Sequence, residues 1–168
     1  MPESLKDLMR TLPQVGRVEA IWLRPARRVA PVAATAVEAV PGQGLVGDRY
    51  RGRTVRARRQ VTLIQAEHLP AIAALAGHAS VRAEDLRRNL VVAGIPLVAL
   101  KGRRFRVGAD VVLEYTVSCD PCRRMEELLG PGGFNAMRGM GGICARVLQG
   151  GAFRVGDPVV ALSDDAAG

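Results

Sequence analysis

The chain is expected to be mostly β, of the α+β kind: a closed or partly closed β-barrel of short strands with a few peripheral helices. Three observations predict this. Its apolar runs are short and rich in Val, and 19 glycines and 10 prolines punctuate them, as expected for many strands joined by tight turns. Aromatic residues are only 4% of the 168, so one core must be built from Val, Leu, Ile and Ala. The sequence "FRVG" occurs at Phe105 and again at Phe153, each time followed by an apolar strand. Two copies are too few for a solenoid. They read as two similar corners of one barrel, where Gly permits the bend. Closure would also hide the strand edges.

The elements follow in order. Residues 4–10 can form one or two helical turns with Leu5, Leu8 and Met9 on one face. "GRVEAIWL" (16–23) reads as the first strand, and "RPARRVAP" as a charged turn. "AATAVEAV" (33–40) fits strand or helix, with its Thr and Val content favouring one strand. Residues 41–59 form a long, glycine-rich, very basic loop, and "QVTLIQ" (60–65) is a β-branched strand. "AEHLPAIAALAG" is a helix ending at Gly77, with Pro70 a possible disturbance; "SVRAEDLRRNL" is a short helix with Ser80 as its N-cap. "LVVAG" is another strand, as is "GICARVLQGG" (142–151), with Ile143, Ala145 and Val147 on one face and Cys144 and Arg146 on the other. "EELLG" is a short helix stopped by Gly130-Pro131. The total is eight or nine strands and two or three helices. The expected organisation is an N-terminal helical extension (1–14), a single barrel domain (15–162) and a disordered tail (163–168).

The formal net charge is +8, and Arg supplies 22 of the 24 basic residues. Arg suits bidentate contacts to phosphate and carboxylate, so a small anionic ligand or a phosphorylated cofactor fits. Nucleic acid fits the charge, but aromatics for stacking are scarce and no helix carries a base-reading pattern. The N-terminus "MPESLKDLMR" lacks the apolar run of a secretory signal, and no segment approaches the roughly 20 apolar residues of a membrane span. A cytoplasmic setting is expected, where thiols stay reduced.

That setting bears on "SCDPCRRMEELLG", which holds Cys119 and Cys122 as C-x-x-C, with the third cysteine, Cys144, downstream. Cys122 follows Pro121, precedes Arg123 and Arg124, and stands where a helix should begin. Positive charge and a helix N-terminus both favour thiolate, the form that attacks electrophiles and binds metals. The surroundings lack the βαβ context of a thioredoxin-type redox pair. Three cysteines plus His68 or His78 supply zinc ligands in number but not at the usual spacing. Cys144, on a strand, reads as core packing, and Cys119 as a second small core residue. In "GLVGDRYRGR", Gly44, Gly47 and Gly52 could free backbone N–H groups for a phosphate, with Arg49, Arg51 and Arg53 adding charge; a solvated basic loop is the plainer alternative. "GPGGFNAMRGMGG" (130–142) reads as a close-approach loop that packs through Phe134, Met137 and Met140. Arg49, Arg51, Arg123, Arg124, Arg138 and Arg146 are the candidate anion contacts.

"GLVGDRYRG", "RQVTLI", "DLRRNLVVAGIPLVALKGRRFRVGADVVLE", "CDPC" and "GGICARVLQGGAFRVGD", in that order, resemble the MOSC domain family, named after the C-terminal domain of molybdenum cofactor sulfurases. The resemblance runs over roughly residues 15–160. It implies a β-barrel fold and either of two chemistries. In one, molybdenum cofactor (molybdopterin) is bound for reduction of N-hydroxylated compounds, with a separate reductase as electron donor. In the other, the domain carries sulfur received as persulfide from a pyridoxal-phosphate cysteine desulfurase. The family's hallmark cysteine corresponds to Cys122, as metal ligand or persulfide acceptor. By the same resemblance Gly47, Asp48, Arg49, Arg51, Asn89 and Arg146 would line the pterin-phosphate site. Two departures stand out. Tyr50 replaces a frequent histidine in the glycine loop, and Cys119 adds a thiol where many relatives have none. It could resolve a persulfide on Cys122 as a disulfide. The competing expectations are a basic nucleic-acid-binding domain and a non-catalytic scaffold.

Overall fold

The computed structural model describes residues 4–50, 52 and 54–163. Arg51, Arg53 and the tail beyond Ser163 lie outside these residues.

Eleven strands carry the architecture: β1 (Val15–Leu23), β2 (Val32–Ala34), β3 (Ala36–Val40), β4 (Gly44–Leu45), β5 (Val61–Gln65), β6 (Leu90–Ala93), β7 (Arg104–Val107), β8 (Val111–Ser118), β9 (Ile143–Gln149), β10 (Gly151–Arg154) and β11 (Pro158–Ala161). Seven close into the expected barrel, in the order β1-β6-β5-β9-β8-β7-β11 and back to β1. Strand β2 extends the end of β1 outside the ring, and β10, β3 and β4 form a small separate sheet. Every neighbouring pair in the ring is antiparallel except β5–β6, which are parallel. A parallel pair needs a crossover, and the helix α2 (His68–Ala76) supplies part of it. Pro70 sits in the first turn of α2, where its missing N–H costs nothing, and Gly77 ends the helix at φ 77°. Three further helices flank the barrel: α1 (Leu5–Arg10), α3 (Arg123–Leu129) and α4 (Gly133–Met137).

Two apolar cores lie on either side of the sheet. Inside the barrel are Val18, Ile21, Leu63, Leu90, Val92, Phe105, Val111, Leu113, Ala145, Val147 and Val159. Outside, Ile64 and Val91 pack with Ile72 of α2, Met125 and Leu129 of α3, and Met137 of α4. All five residues of β5 are therefore buried, because both faces are covered. Phe105 is the largest side chain fully enclosed in the barrel, at 0% exposure. Phe105→Ala is expected to lower the unfolding free energy in urea by about 3–5 kcal/mol, the usual cost of a large core deletion.

Three expectations are corrected. Residues 80–90 form no helix: 83–87 are consecutive turns, and Arg87 sits at φ 59°. Its guanidinium donates to the carbonyls of Val29 (2.6 Å) and Ala26 (3.2 Å), fixing a turn that a helix would break. The expected strand 33–40 is two strands split at Thr35, because β2 pairs with β1 while β3 joins β10. The two "FRVG" corners also differ. The first joins the paired strands β7 and β8; the second sends β10 to the small sheet and β11 to the barrel. Asp157 sets that second turn by accepting the Arg154 N–H at 2.9 Å. The loop 130–142 packs through buried Met137, and it contains a short helix, α4, that its glycines concealed. Phe134 is exposed.

Candidate functional site

A cleft of ≈ 300 Å³ opens outside the barrel, between the end of β1, the basic loop, the 83–88 turns and the start of α3. Its walls carry Arg24, Arg49, Arg59, Arg87, Arg88 and Arg124, together with Cys119, Cys122 and Cys144; Asp120 is the sole acidic residue among the lining. No such charge converges on the larger cavity of ≈ 460 Å³ nearby, which is lined by Gln65, Glu67, His68, Ile95, Leu97 and Tyr115 among others and has no Arg or Lys. The cleft is thus the place where an anion would be held.

The arginines differ in how they are supported. Arg24, just past β1, donates its backbone N–H and its guanidinium to Asp48 at 2.8–3.1 Å. Asp48 is buried, and burial raises its pKa; the Arg24 bonds and charge and the Tyr50 N–H outweigh that and hold it below the usual carboxylate range. Asn89, at the start of β6, donates Nδ2–H to the same carboxylate at 3.1 Å and accepts from the Thr62 N–H and hydroxyl with Oδ1. Asp48 and Asn89 therefore stand behind the cleft and aim Arg24 into it. Arg88 is a different case. It is 7% exposed, and it donates to two backbone carbonyls, Gly141 O and Leu86 O, both at 2.8 Å. Among the described residues no carboxylate pairs with it. A buried guanidinium held by neutral carbonyls keeps its charge available to a ligand. Arg87 is depressed below the usual guanidinium range, first by burial and then by Arg124, Arg24 and Arg49, which shows how closely these cations crowd.

Arg59 is brought in by two anchors of the loop that carries it. Gln60 is buried, donates to Val55 O and Ala57 O, and accepts the Val147 N–H of β9 at 2.9 Å. Thr116 of β8 donates its hydroxyl to Arg58 O. The glycine loop itself turns inward. Val46 N–H bonds Glu38 O, Asp48 N–H bonds Leu45 O, Arg49 N–H bonds Arg24 O and Gly52 N–H bonds Gln43 O. Its amides thus close the loop, and the side chain of Arg49 is what reaches the cleft.

The three cysteines part company here. Cys122 is exposed and is the N-cap residue of α3. Cys144 is fully buried on β9. Cys119 is half-buried, and its N–H donates to Gly142 O at 2.8 Å. A side-chain hydrogen bond from Cys144 lowers the Cys119 pKa against the effect of burial, and Arg88, Arg59 and Arg24 lower it further; Cys144, as the donor, is pushed up. The acidified thiol is Cys119.

Of the residues singled out from the sequence, Cys119, Cys122, Arg49 and Arg124 line the cleft, and Asp48 and Asn89 support it. Gly47 is an exposed turn residue at φ 93° beside Leu23. Arg123 and Arg138 are exposed outside the lining, and Arg146 is ion-paired to Glu114 at 3.4 Å on the barrel wall. The sequence reading missed Arg24, Arg59, Arg87 and Arg88. Arg59 lay inside the flagged basic loop, and Arg87 and Arg88 adjoin Asn89, so proximity to flagged residues was the available signal. His78 is engaged with Leu129 O at 2.7 Å, and among the described residues no group of three His, Cys, Asp or Glu could hold a metal ion, which removes the zinc reading. No described helix is long and apolar enough to cross a membrane.

A family model for the MOSC domain matches residues 44–160. Among solved structures, the YuaD protein of Bacillus subtilis superposes with a TM-score of 0.76 at 21% identity, covering 89% of this chain and 97% of that one. YiiM of Geobacillus stearothermophilus superposes at 0.70 with 15% identity (90% and 77%), and YiiM of Escherichia coli at 0.66 with 16% (88% and 70%). No curated protein matches by sequence.

Proposed function

The chain belongs to the MOSC domain family, and from that premise we propose that its basic, cysteine-lined cleft binds a phosphorylated, sulfur-bearing anion of the molybdenum cofactor class. The observation that carries this reading is Arg88, a buried cation with no carboxylate partner among the described residues, facing a cleft with an exposed thiol. The donor set fits such a group. Arg24, Arg49, Arg59, Arg88 and Arg124 would hold the phosphate and the other anionic oxygens, and Cys122 would meet the metal, since soft thiolate suits such a centre. When bound, the group supplies redox chemistry that no protein side chain provides. The chain's own residues do the rest: Asp48 and Asn89 orient Arg24, Gln60 and Thr116 hold the Arg59 loop, and Arg88 fixes charge at the floor. The cleft is at the low end of the roughly 300–1,000 Å³ range of ligand sites, so a pterin would lie partly across its mouth. A redox role would need a separate electron-donor reductase.

A second reading, sulfur carrying, is favoured by one observation: three thiols open on or border the same cleft, with the exposed Cys122 where a partner could reach it. Cys122 would accept persulfide sulfur from a pyridoxal-phosphate cysteine desulfurase. Nucleic-acid binding is disfavoured, since aromatics are 4% of the chain and Tyr50 is the one aromatic in the cleft.

Protein prepared without oxygen is expected to carry molybdenum and pterin, or a persulfide on Cys122, by metal analysis, pterin fluorescence and mass spectrometry. Cys122→Ser should lose the metal or the persulfide while keeping anion affinity. Arg88→Met should weaken binding of the phosphorylated pterin about tenfold to a hundredfold, the worth of one charge-assisted contact. Protein that holds no molybdenum, no pterin and no persulfide under any loading condition would sink both readings.

A further inference from the structure

We propose that Cys119 is a second nucleophile of the cleft, which resolves a sulfur carried on Cys122, with Cys144 and Arg88 of the same cleft positioning it. This rests on the sulfur-carrying reading of the cleft.

Placement comes first. The Cys119 N–H is bonded to Gly142 O, which sets its side chain against Cys144 at the junction of β8 and β9. Arg88 is locked to Gly141 O, one residue away from that carbonyl, so the cation and the thiol are fixed by the same glycine pair. The segment is tight: a Cβ on Gly141 would lie 2.1 Å from Cys119 O. Cys122 is three residues further along, exposed, with Asp120 and Pro121 between them, and 119–122 have no regular secondary structure. A two-residue linker thus joins Cys119, anchored through its N–H, to Cys122 at the N-cap of α3. Both cysteines line the same cleft.

Electrostatics adds to placement. Cys119 is drawn down to about 6, first by Cys144 and then, against burial, by Arg88, Arg59 and Arg24, which favours its thiolate. A thiolate attacks; the sulfur it displaces leaves as an anion. Attack of Cys119 S⁻ on the Cys122 sulfur of a Cys122–S–SH persulfide forms a Cys119–Cys122 disulfide and breaks the S–S bond to the terminal sulfur. That sulfur takes the electron pair and leaves as HS⁻. The two cysteines are oxidised, the sulfane sulfur is reduced, and charge and atoms balance without another reagent. An external dithiol reductant, such as a thioredoxin-class protein, returns the disulfide to two thiols for the next cycle. Arg88 and Cys144 act through Cys119 and are positioning residues.

The test uses a mixed disulfide as stand-in for the persulfide. Reduced protein is treated with one equivalent of 5,5′-dithiobis(2-nitrobenzoate) at neutral pH, and release of thionitrobenzoate is followed by absorbance, with peptide mapping of the product. The wild type should release two equivalents in two phases and end with a Cys119–Cys122 disulfide. Cys119→Ser should release one and retain the label on Cys122. The second phase should rise with pH through a midpoint near 6. Cys144→Ala and Arg88→Met should move that midpoint upward and slow the phase about tenfold at pH 6, with rescue by Cys144→Ser and Arg88→Lys. A wild type that keeps the label on Cys122, or a product bridged between Cys119 and Cys144, overturns the proposal, as does a second phase indifferent to Arg88 and Cys144. Polysulfide treatment of Cys119→Ser tests the underlying reading separately: no persulfide on Cys122 there removes sulfur carrying and leaves the measured resolving step standing.

Discussion

Asp48→Ala should cost about 3–5 kcal/mol in a urea titration, the range for removing one partner of a buried charge pair. Asp48 is 3% exposed, and its carboxylate accepts from the Arg24 backbone N–H and guanidinium, the Tyr50 N–H and the Asn89 amide. Alanine satisfies none of them, and it leaves a guanidinium 13% exposed facing a cleft already crowded with cations. For a chain of this size the loss corresponds to a fall in Tm of roughly 6–20 °C. The pH sign is definite. The folded pKa lies below the unfolded one, so this contribution is complete above the unfolded value and disappears as pH falls through the folded value. Wild-type stability should therefore drop in that acid range, and Asp48→Ala should lack that part of the drop. A loss under about 1 kcal/mol would mean that Arg24 simply swings into water.

Gly142→Ala should cost at least as much, about 4 kcal/mol up to a failure to accumulate as folded protein, because two independent penalties coincide. The residue has φ 95°, and a Cβ there would lie 2.0 Å from the Leu63 carbonyl oxygen. That oxygen belongs to β5, whose Leu63 faces Ile143 across the pairing with β9. Relief needs the two strands to separate, and the Gly142 carbonyl that holds Cys119 moves with them. Gly139→Ala is the control. It has φ 80° with nothing within 4 Å of the added carbon, so only the backbone preference is lost, about 1 kcal/mol. Equal losses at the two glycines, measured by denaturation, would refute the close-approach argument.

The barrel was readable because its signals are local. "QVTLI" and "DVVLEY" are β-branched runs between turns, and each became a barrel strand. The failures arise where partners far away in sequence decide. Ser80 looks like a helix N-cap, yet Arg87 reaches Val29 and Ala26, some sixty residues back, and holds turns instead. Thr35 gives no hint that the strand on either side joins a different sheet. The cleft shows the same division. Cys122 and Arg124 declared themselves through C-x-x-C and the adjacent basic pair. Arg24 and Arg88 did not, because an arginine in a charged turn looks like any other of the 22 until its burial and its partners are known. Cys119 ranked second to Cys122 by motif, since the Cys144 thiol that acidifies it lies 25 positions downstream.

Strand β1 is the seam of the barrel, and this has a consequence for how the protein is made. Val15, Gly16 and Arg17 pair with Val160, Val159 and Pro158, so the ring is shut by almost the first and almost the last residues of the domain. During synthesis β1 emerges before every other barrel strand and waits for the rest of the domain before β11 exists. Until then β1 and β7 present open edges, each able to recruit a strand from another nascent chain. A chain that stops at Gly156 would carry every residue of the cleft and still lack the strand that closes the wall behind it. Yield of native protein should therefore depend on the intact final strand and on chaperones that shield the waiting edge, and far less on the arginines and cysteines that give the molecule its chemistry.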